Sequence, residues 1–175
     1  KDSARLLAAN ALRSPQGRGV RVAVRINGMD TPFFADDLEA MVRAGASVIR
    51  LPMTHDAGMV TRLDELITVI ERACGREVGS TRIMAAIESA AGVVNAREIA
   101  AASPRMLAVA LAGFDYLLDM HAERSRGGME LFYARCAVLH AARAAGVSCY
   151  DVVWGNVDDE EGFLAEVEAI KNLGF

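Results

Sequence analysis

Cysteine is scarce. Cys74, Cys136 and Cys149 are the three in 175 residues, and none stands in a CxxC pair. That argues against a disulfide-stapled domain or a cysteine-rich zinc module. Cys136 and Cys149 lie in apolar runs, so the sequence predicts reduced, buried thiols in a cytoplasmic protein. Positive charge is also short: 19 Lys and Arg against 23 Asp and Glu leave a net charge of −4. No basic stripe is present, which speaks against nucleic acid or an anionic membrane as partner. No apolar run approaches the ~20 residues of a membrane helix. The first residues are charged and helical in pattern, which is not the pattern of a signal peptide. Neither GxGxxG nor GxxxxGK[ST] occurs, so the glycine fingerprints of nucleotide-binding sheets are missing.

What is present is a globular composition, 53% apolar, long enough for one domain with a sizeable core, residues 1–175. Helical and strand patterns alternate. Residues 1–13 read as a helix, then 19–26 (GVRVAVRI) as a buried strand, rich in β-branched residues. A helix over 36–45 stops on Gly45. Strand 46–53 precedes an amphipathic helix over 58–75. Strand 82–89 precedes a helix over 92–103. Strand 106–113, helix 129–146, strand 147–154 and helix 159–174 complete the chain. The acidic run Asp158-Asp159-Glu160-Glu161 suits a helix N-terminus. Five strands alternating with helices, without a hairpin signal, predict parallel βαβ units. The sheet is then either open and doubly wound or part of a (β/α)8 barrel.

In both architectures ligands bind at the carboxyl ends of the strands. Those ends read Arg25-Ile26-Asn27, Arg50-Leu51-Pro52-Met53, Glu88-Ser89, Gly113-Phe114-Asp115 and Trp154-Gly155-Asn156. Two acids on successive strand ends, Glu88 and Asp115, are suited to a hard cation such as Mg²⁺, with water and substrate oxygens completing its shell. Arg25 can grip a carboxylate bidentately. Each has a plainer reading: Glu88 as a solvated strand end, Asp115 as a helix cap, Arg25 as a structural ion pair. His55 follows a strand and is a candidate for the same rim. His55, His121 and His140 do not cluster, and His140 reads as a packed or surface histidine of its helix.

Several segments carry a family likeness: "VRINGMDTPFFADDLEAMVRAGASVIRLP", "IERACGREVGST", "AAIESAAGV", "HAERSRGGMELFYARCAVLHAARAAGV" and "EGFLAEVEAIKNLGF". In order and in register, they resemble the beta chain of citrate lyase and the wider citryl-, malyl- and citramalyl-CoA lyases. The resemblance implies an α/β fold of the (β/α)8 TIM-barrel type, incomplete in this chain, with the first two strands and the last one missing. It implies Mg²⁺ on Glu88 and Asp115, and an oxo-acid carboxylate on Arg25, with Asn27, Gly113 and Phe114 lining the substrate. It implies cleavage of a 3-hydroxyacyl thioester, borne by coenzyme A or an acyl-carrier protein, into an acetyl thioester and a 2-oxo acid. A stand-alone citramalyl- or malyl-CoA lyase and a non-catalytic assembly subunit are the alternatives. A homo-oligomer, in this family often a trimer, is expected, or flanking sequence that supplies the remaining strands; otherwise the sheet edges stay bare.

Two positions depart from the family. Met53 stands where its members carry lysine. Phe114-Asp115 replaces a Glu-Asp pair. An apolar wall beside the metal acid predicts a preference for a methyl over a carboxymethyl substituent, because a carboxylate there loses hydration without gaining a partner.

Overall fold

The computed structural model describes residues 1–14 and 20–175. Eight α-helices and five strands alternate among them. The strands are β1 (Ala23–Arg25), β2 (Val48–Leu51), β3 (Arg82–Ile87), β4 (Met106–Leu111) and β5 (Ser148–Tyr150). The helices are α1 (Asp2–Arg13), α2 (Phe34–Ala44), α3 (Ala57–Ala73), α4 (Ala90–Val94), α5 (Ala96–Ala101), α6 (Gly113–Asp119), α7 (Phe132–Ala145) and α8 (Glu160–Leu173). A 3₁₀ turn, Met129–Leu131, leads into α7.

All neighbouring strands are parallel, and their order in space is their order in sequence, β1-β2-β3-β4-β5. A doubly wound sheet reverses direction at a switch point; this one never does. Ile49, Leu51, Ile83, Ala85, Ile87, Val109 and Leu111 share one continuous core with Val42 of α2, Leu63 and Ile67 of α3, Ile99 of α5 and Val138 of α7. The alternate positions, Arg25, Arg50, Met84, Ala86, Ala108, Ala110 and Tyr150, share register on the other face and lie outside that core. Helices on one face and a sequential parallel sheet form an arc of a barrel wall.

Local signals explain where the elements stop. Asp56 caps α3 by accepting from Met59 N at 3.0 Å, and Asp159 caps α8 by accepting from Gly162 N at 2.9 Å. The acidic run is therefore a helix start, as its composition predicts. Gly146 ends α7 with φ of +69°, a conformation other residues adopt at a cost.

Several expectations need correction. The strand predicted over 19–26 is reduced to Ala23–Arg25 with an exposed–half-buried–exposed pattern; Gly19 lies outside the described residues. β1 is an edge strand, so its β-branched run is covered on the helix side only. The strand predicted over 147–154 keeps regular pairing only at Ser148–Tyr150, likewise on an edge. The helix expected over 92–103 is two short ones, parted at Asn95. Helix α6 has no counterpart in the prediction; it begins at Gly113, whose low helix propensity hides it. The three thiols are free and half-buried rather than buried. Burial pushes the Cys149 thiol up to about 12.

A fully satisfied polar network holds the amino-terminal ends of β3 and β4. Glu71 is completely buried. It accepts from Thr81 N at 2.7 Å, Gly79 N at 2.8 Å and Arg105 Nη2 at 2.8 Å. Arg105 also donates to Asp64, the Thr68 hydroxyl and the Thr81 carbonyl. At the amino-terminal side of a barrel such a network serves stability.

Candidate metal and anion site

Glu88 is the residue after β3 and is only 5% exposed. Asp115 lies in the first turn of α6, four residues beyond the end of β4. The two acids therefore come from adjacent strand ends, and the Asp115 carboxyl is near enough to act on that of Glu88. Burial, above all, holds the Glu88 carboxyl above its ordinary range. The backbone N–H of Met53 opposes this, the neighbouring Asp115 carboxyl adds to it, and the charge of Arg50 opposes it.

The surrounding backbone is built to support this pair. Thr54 N donates to the Ala86 carbonyl at 3.0 Å and the Thr54 hydroxyl donates to the Leu51 carbonyl at 3.1 Å, tying the end of β2 to β3. Met53 takes a left-handed conformation, φ of +50°, uncommon for a residue other than glycine, and its backbone N–H acts on Glu88. Gly92 in α4 packs so closely that a Cβ there would sit 2.7 Å from the Thr54 carbonyl oxygen. Ala90 N donates to Asp119 of α6 at 2.7 Å, fixing the helix that carries Asp115 against the one that follows Glu88. Gly113 is buried, and a Cβ would meet Val152 Cγ1 at 2.6 Å. Thr54, Asp119 and Arg50 carry no motif that reading the chain alone would single out as a site.

The other predicted residues are placed as follows. Arg25 is exposed, on the open face of β1, opposite Arg50 of β2. Asn27 turns to α2: its backbone N–H and its side-chain amide both donate to Asp37, which also pairs with Arg5 at 2.9 Å. Phe114 is 57% exposed, and its ring lies where a Gly155 Cβ would be only 2.7 Å from Cζ. Phe114 and Gly113 thus line a cavity of about 440 Å³ with Trp154, Arg124 and Arg126, between α6, the segment that follows it and the segment that follows β5. Neither Glu88 nor Asp115 lines it. His55 bonds to the Met53 carbonyl through Nδ1 and approaches Asp56 through Nε2 at 3.4 Å. His140 bonds to the Cys136 carbonyl within α7. Among the described residues no three of His, Cys, Asp and Glu cluster to hold a metal.

Two adjacent carboxylates, one of them buried, repel each other unless a proton or cation lies between them. Their oxygens suit a hard cation that keeps water or ligand oxygens in its remaining positions. The pair thus fits Mg²⁺. The full length of the chain, residues 1–175, matches the model of HpcH/HpaI aldolase/citrate lyase. The chain belongs to that family. It is 53% identical over 175 residues to citrate lyase subunit beta of Leuconostoc mesenteroides subsp. cremoris, covering 100% of this chain and 58% of that protein. It is 34% identical over 194 residues to the L-malyl-CoA/beta-methylmalyl-CoA lyase of Cereibacter sphaeroides, covering 99% of this chain and 61% of that protein. Its fold superposes on the Mycobacterium tuberculosis protein CitE in complex with magnesium and acetoacetate, with a TM-score of 0.74 and 29% identity, over 95% of this chain and 65% of that one. The chain therefore spans about three fifths of the relatives it matches. Among the described residues no helix is long and apolar enough to cross a membrane.

Proposed function

We propose that this chain belongs to a Mg²⁺-dependent lyase that cleaves a 3-hydroxyacyl thioester into an acetyl thioester and a 2-oxo acid. The observation that carries this reading is the Glu88–Asp115 carboxyl pair beyond the ends of β3 and β4, with Arg50 acting on Glu88 and Arg25 in register with Arg50. Glu88 and Asp115 would hold the cation. When bound, it supplies Lewis-acid stabilisation to the substrate hydroxyl oxygen as that oxygen becomes a ketone. Arg25 binds and orients the carboxylate next to the reacting carbon. The proton leaves the hydroxyl, the carbon–carbon bond breaks, and its electron pair passes to the thioester as an enolate. Protonation at that carbon gives the acetyl thioester. Donors near the thioester oxygen are needed while charge develops there. The thioester is carried by coenzyme A or an acyl-carrier protein. The name of the Leuconostoc relative favours a subunit of citrate lyase, and that of the Cereibacter relative favours free coenzyme A thioesters.

The test is Mg²⁺-dependent release of a 2-oxo acid from citryl, citramalyl and malyl thioesters of both carriers. Turnover with either carrier, abolished by chelation and lowered by Arg25→Lys, supports the reading, since lysine keeps the charge and loses the fork. Mg²⁺ binding without turnover of any thioester replaces it with a binding or assembly subunit. Exposed Leu118, Met129, Phe132 and Tyr133 around α6 and the start of α7 suit contact with further copies; light scattering of a homo-oligomer, a trimer in the expected case, checks it.

A further inference from the structure

Arg50 is the most unusual charged group of the open sheet face. Its Nε is buried and has no hydrogen-bond partner. Its neighbours in sequence, Ile49 and Leu51, point into the helix-covered core, so Arg50 points the other way. Arg25 lies directly opposite it in the β1–β2 pairing, and its side chain leaves the same face. Among the described residues neither guanidinium makes an ion pair with a carboxylate. Like charges directly across a strand pair are destabilising, and a buried, unpartnered N–H adds to that. Elsewhere this chain satisfies its buried arginines thoroughly: Arg105 spends its guanidinium on Asp64, Thr68, Glu71 and Thr81, and Arg135 on Asp151 and Glu166. The acid that faces Arg50 is Glu88. A cation on Glu88 and Asp115 would claim that carboxylate, leaving two adjacent guanidiniums and no counter-charge.

We infer that Arg50 is a second anion-binding arm beside Arg25, holding the distal carboxylate of a 2-oxo dicarboxylate while Arg25 holds the proximal one. This rests on the lyase reading above and adds a specificity-determining residue to it. It also reverses the expectation drawn from Phe114. That ring lies over Gly155 in the cavity between α6 and the segment that follows β5, not on the face of β1 and β2 where the arginines stand. The apolar wall and the anion clamp therefore occupy different parts of the rim, and the second carboxylate has a partner.

Calorimetric binding of oxaloacetate, a dianion, and pyruvate, a monoanion, decides the matter, each at saturating Mg²⁺. Wild type binds oxaloacetate more tightly than pyruvate. Arg50→Gln weakens oxaloacetate by about 10- to 100-fold, the range for a lost charged hydrogen bond, and leaves pyruvate within about threefold. Arg50→Lys, which keeps charge and should fold where the glutamine variant does not, loses about five- to tenfold for oxaloacetate alone because the fork is gone. Equal losses for both ligands, or none for oxaloacetate, overturn the role of Arg50. If pyruvate binds in an Arg25-dependent way and Arg50 variants are silent, the lyase reading survives and this inference does not. If wild type binds neither ligand, both fall.

Discussion

Asp115→Asn should raise the stability of the metal-free protein and lower that of the Mg²⁺-loaded protein. The substitution keeps shape and removes one of two facing carboxylates. Two unit charges about 4 Å apart at a protein surface interact by about 4 kcal/mol. Asp115 is solvent-exposed, so screening reduces the relief to about 1–2 kcal/mol. For a domain of this size that is about 2–8 °C in Tm, measured in EDTA. With Mg²⁺ at 100 times its dissociation constant, wild type gains about 2.7 kcal/mol, or about 5–11 °C, by mass action. The variant, left with Glu88 alone, gains little. The two melting curves should exchange order when EDTA is replaced by Mg²⁺.

The pH dependence follows from the same pair. Burial first, and then Asp115, raise the Glu88 carboxyl above its ordinary value of 4.5, so the folded chain keeps this proton to higher pH than the unfolded chain does. The contribution to stability is complete below the ordinary value and is lost as pH rises through the raised folded value. In EDTA the wild type should therefore weaken over that interval, and Asp115→Asn should weaken less. Differential scanning fluorimetry at several pH values, with and without Mg²⁺, measures all four conditions. Loss of stability in EDTA on Asp115→Asn, or an equal Mg²⁺ shift in both proteins, would refute the shared-cation geometry.

Arg105→Leu leaves buried Glu71 uncompensated and should cost about 3–5 kcal/mol in urea unfolding. Burial raises the Glu71 carboxyl, but hydrogen bonds from Arg105, Gly79 N and Thr81 N outweigh it and the net shift is downward; its stabilisation is present above 4.5 and is lost as pH falls through the lowered folded value, and an unchanged acid midpoint in Glu71→Gln would contradict that. Gly113→Ala should destabilise by about 1–3 kcal/mol through Val152, and Val152→Ala in the same chain should recover part of it; an additive double mutant would show that the contact is not the cause. Cys149, its thiol raised to about 12 by burial, should stay unalkylated by iodoacetamide at pH 8 in the native protein, as peptide mass mapping would reveal.

Much of the fold was legible because a parallel strand buried on both faces leaves a continuous apolar run. RIMAAI and MLAVAL, β3 and β4, are such runs and stand where they were expected. β1 and β5 read the same way but are exposed edges, since a run records an apolar environment and not which neighbour provides it. Helix α6 was illegible because its start, Gly113-Phe114-Asp115, has no helical period and serves packing against Val152 instead. The acids Glu88 and Asp115 could be singled out because each breaks an apolar run at a strand end. The left-handed backbone of Met53, whose N–H acts on Glu88, leaves no mark in the sequence.

Arg50 exposes the limit of one-dimensional reading most clearly. In the sequence it is one basic residue in VIRLP, 25 positions from Arg25. Only the β1–β2 register makes the two arginines neighbours, and only burial makes an unpartnered Nε informative. Period-2 alternation places Arg50 off the core face, but pairing register is a tertiary property fixed by how α2 packs between the strands. Leu38, Met41 and Val42 set that packing from the helix. A change that slipped β1 by one residue against β2 would turn Arg25 into the helix layer and dissolve the pair. The juxtaposition of the two arginines is thus encoded less in the arginines themselves than in the apolar residues that seat a helix on the other face of the sheet.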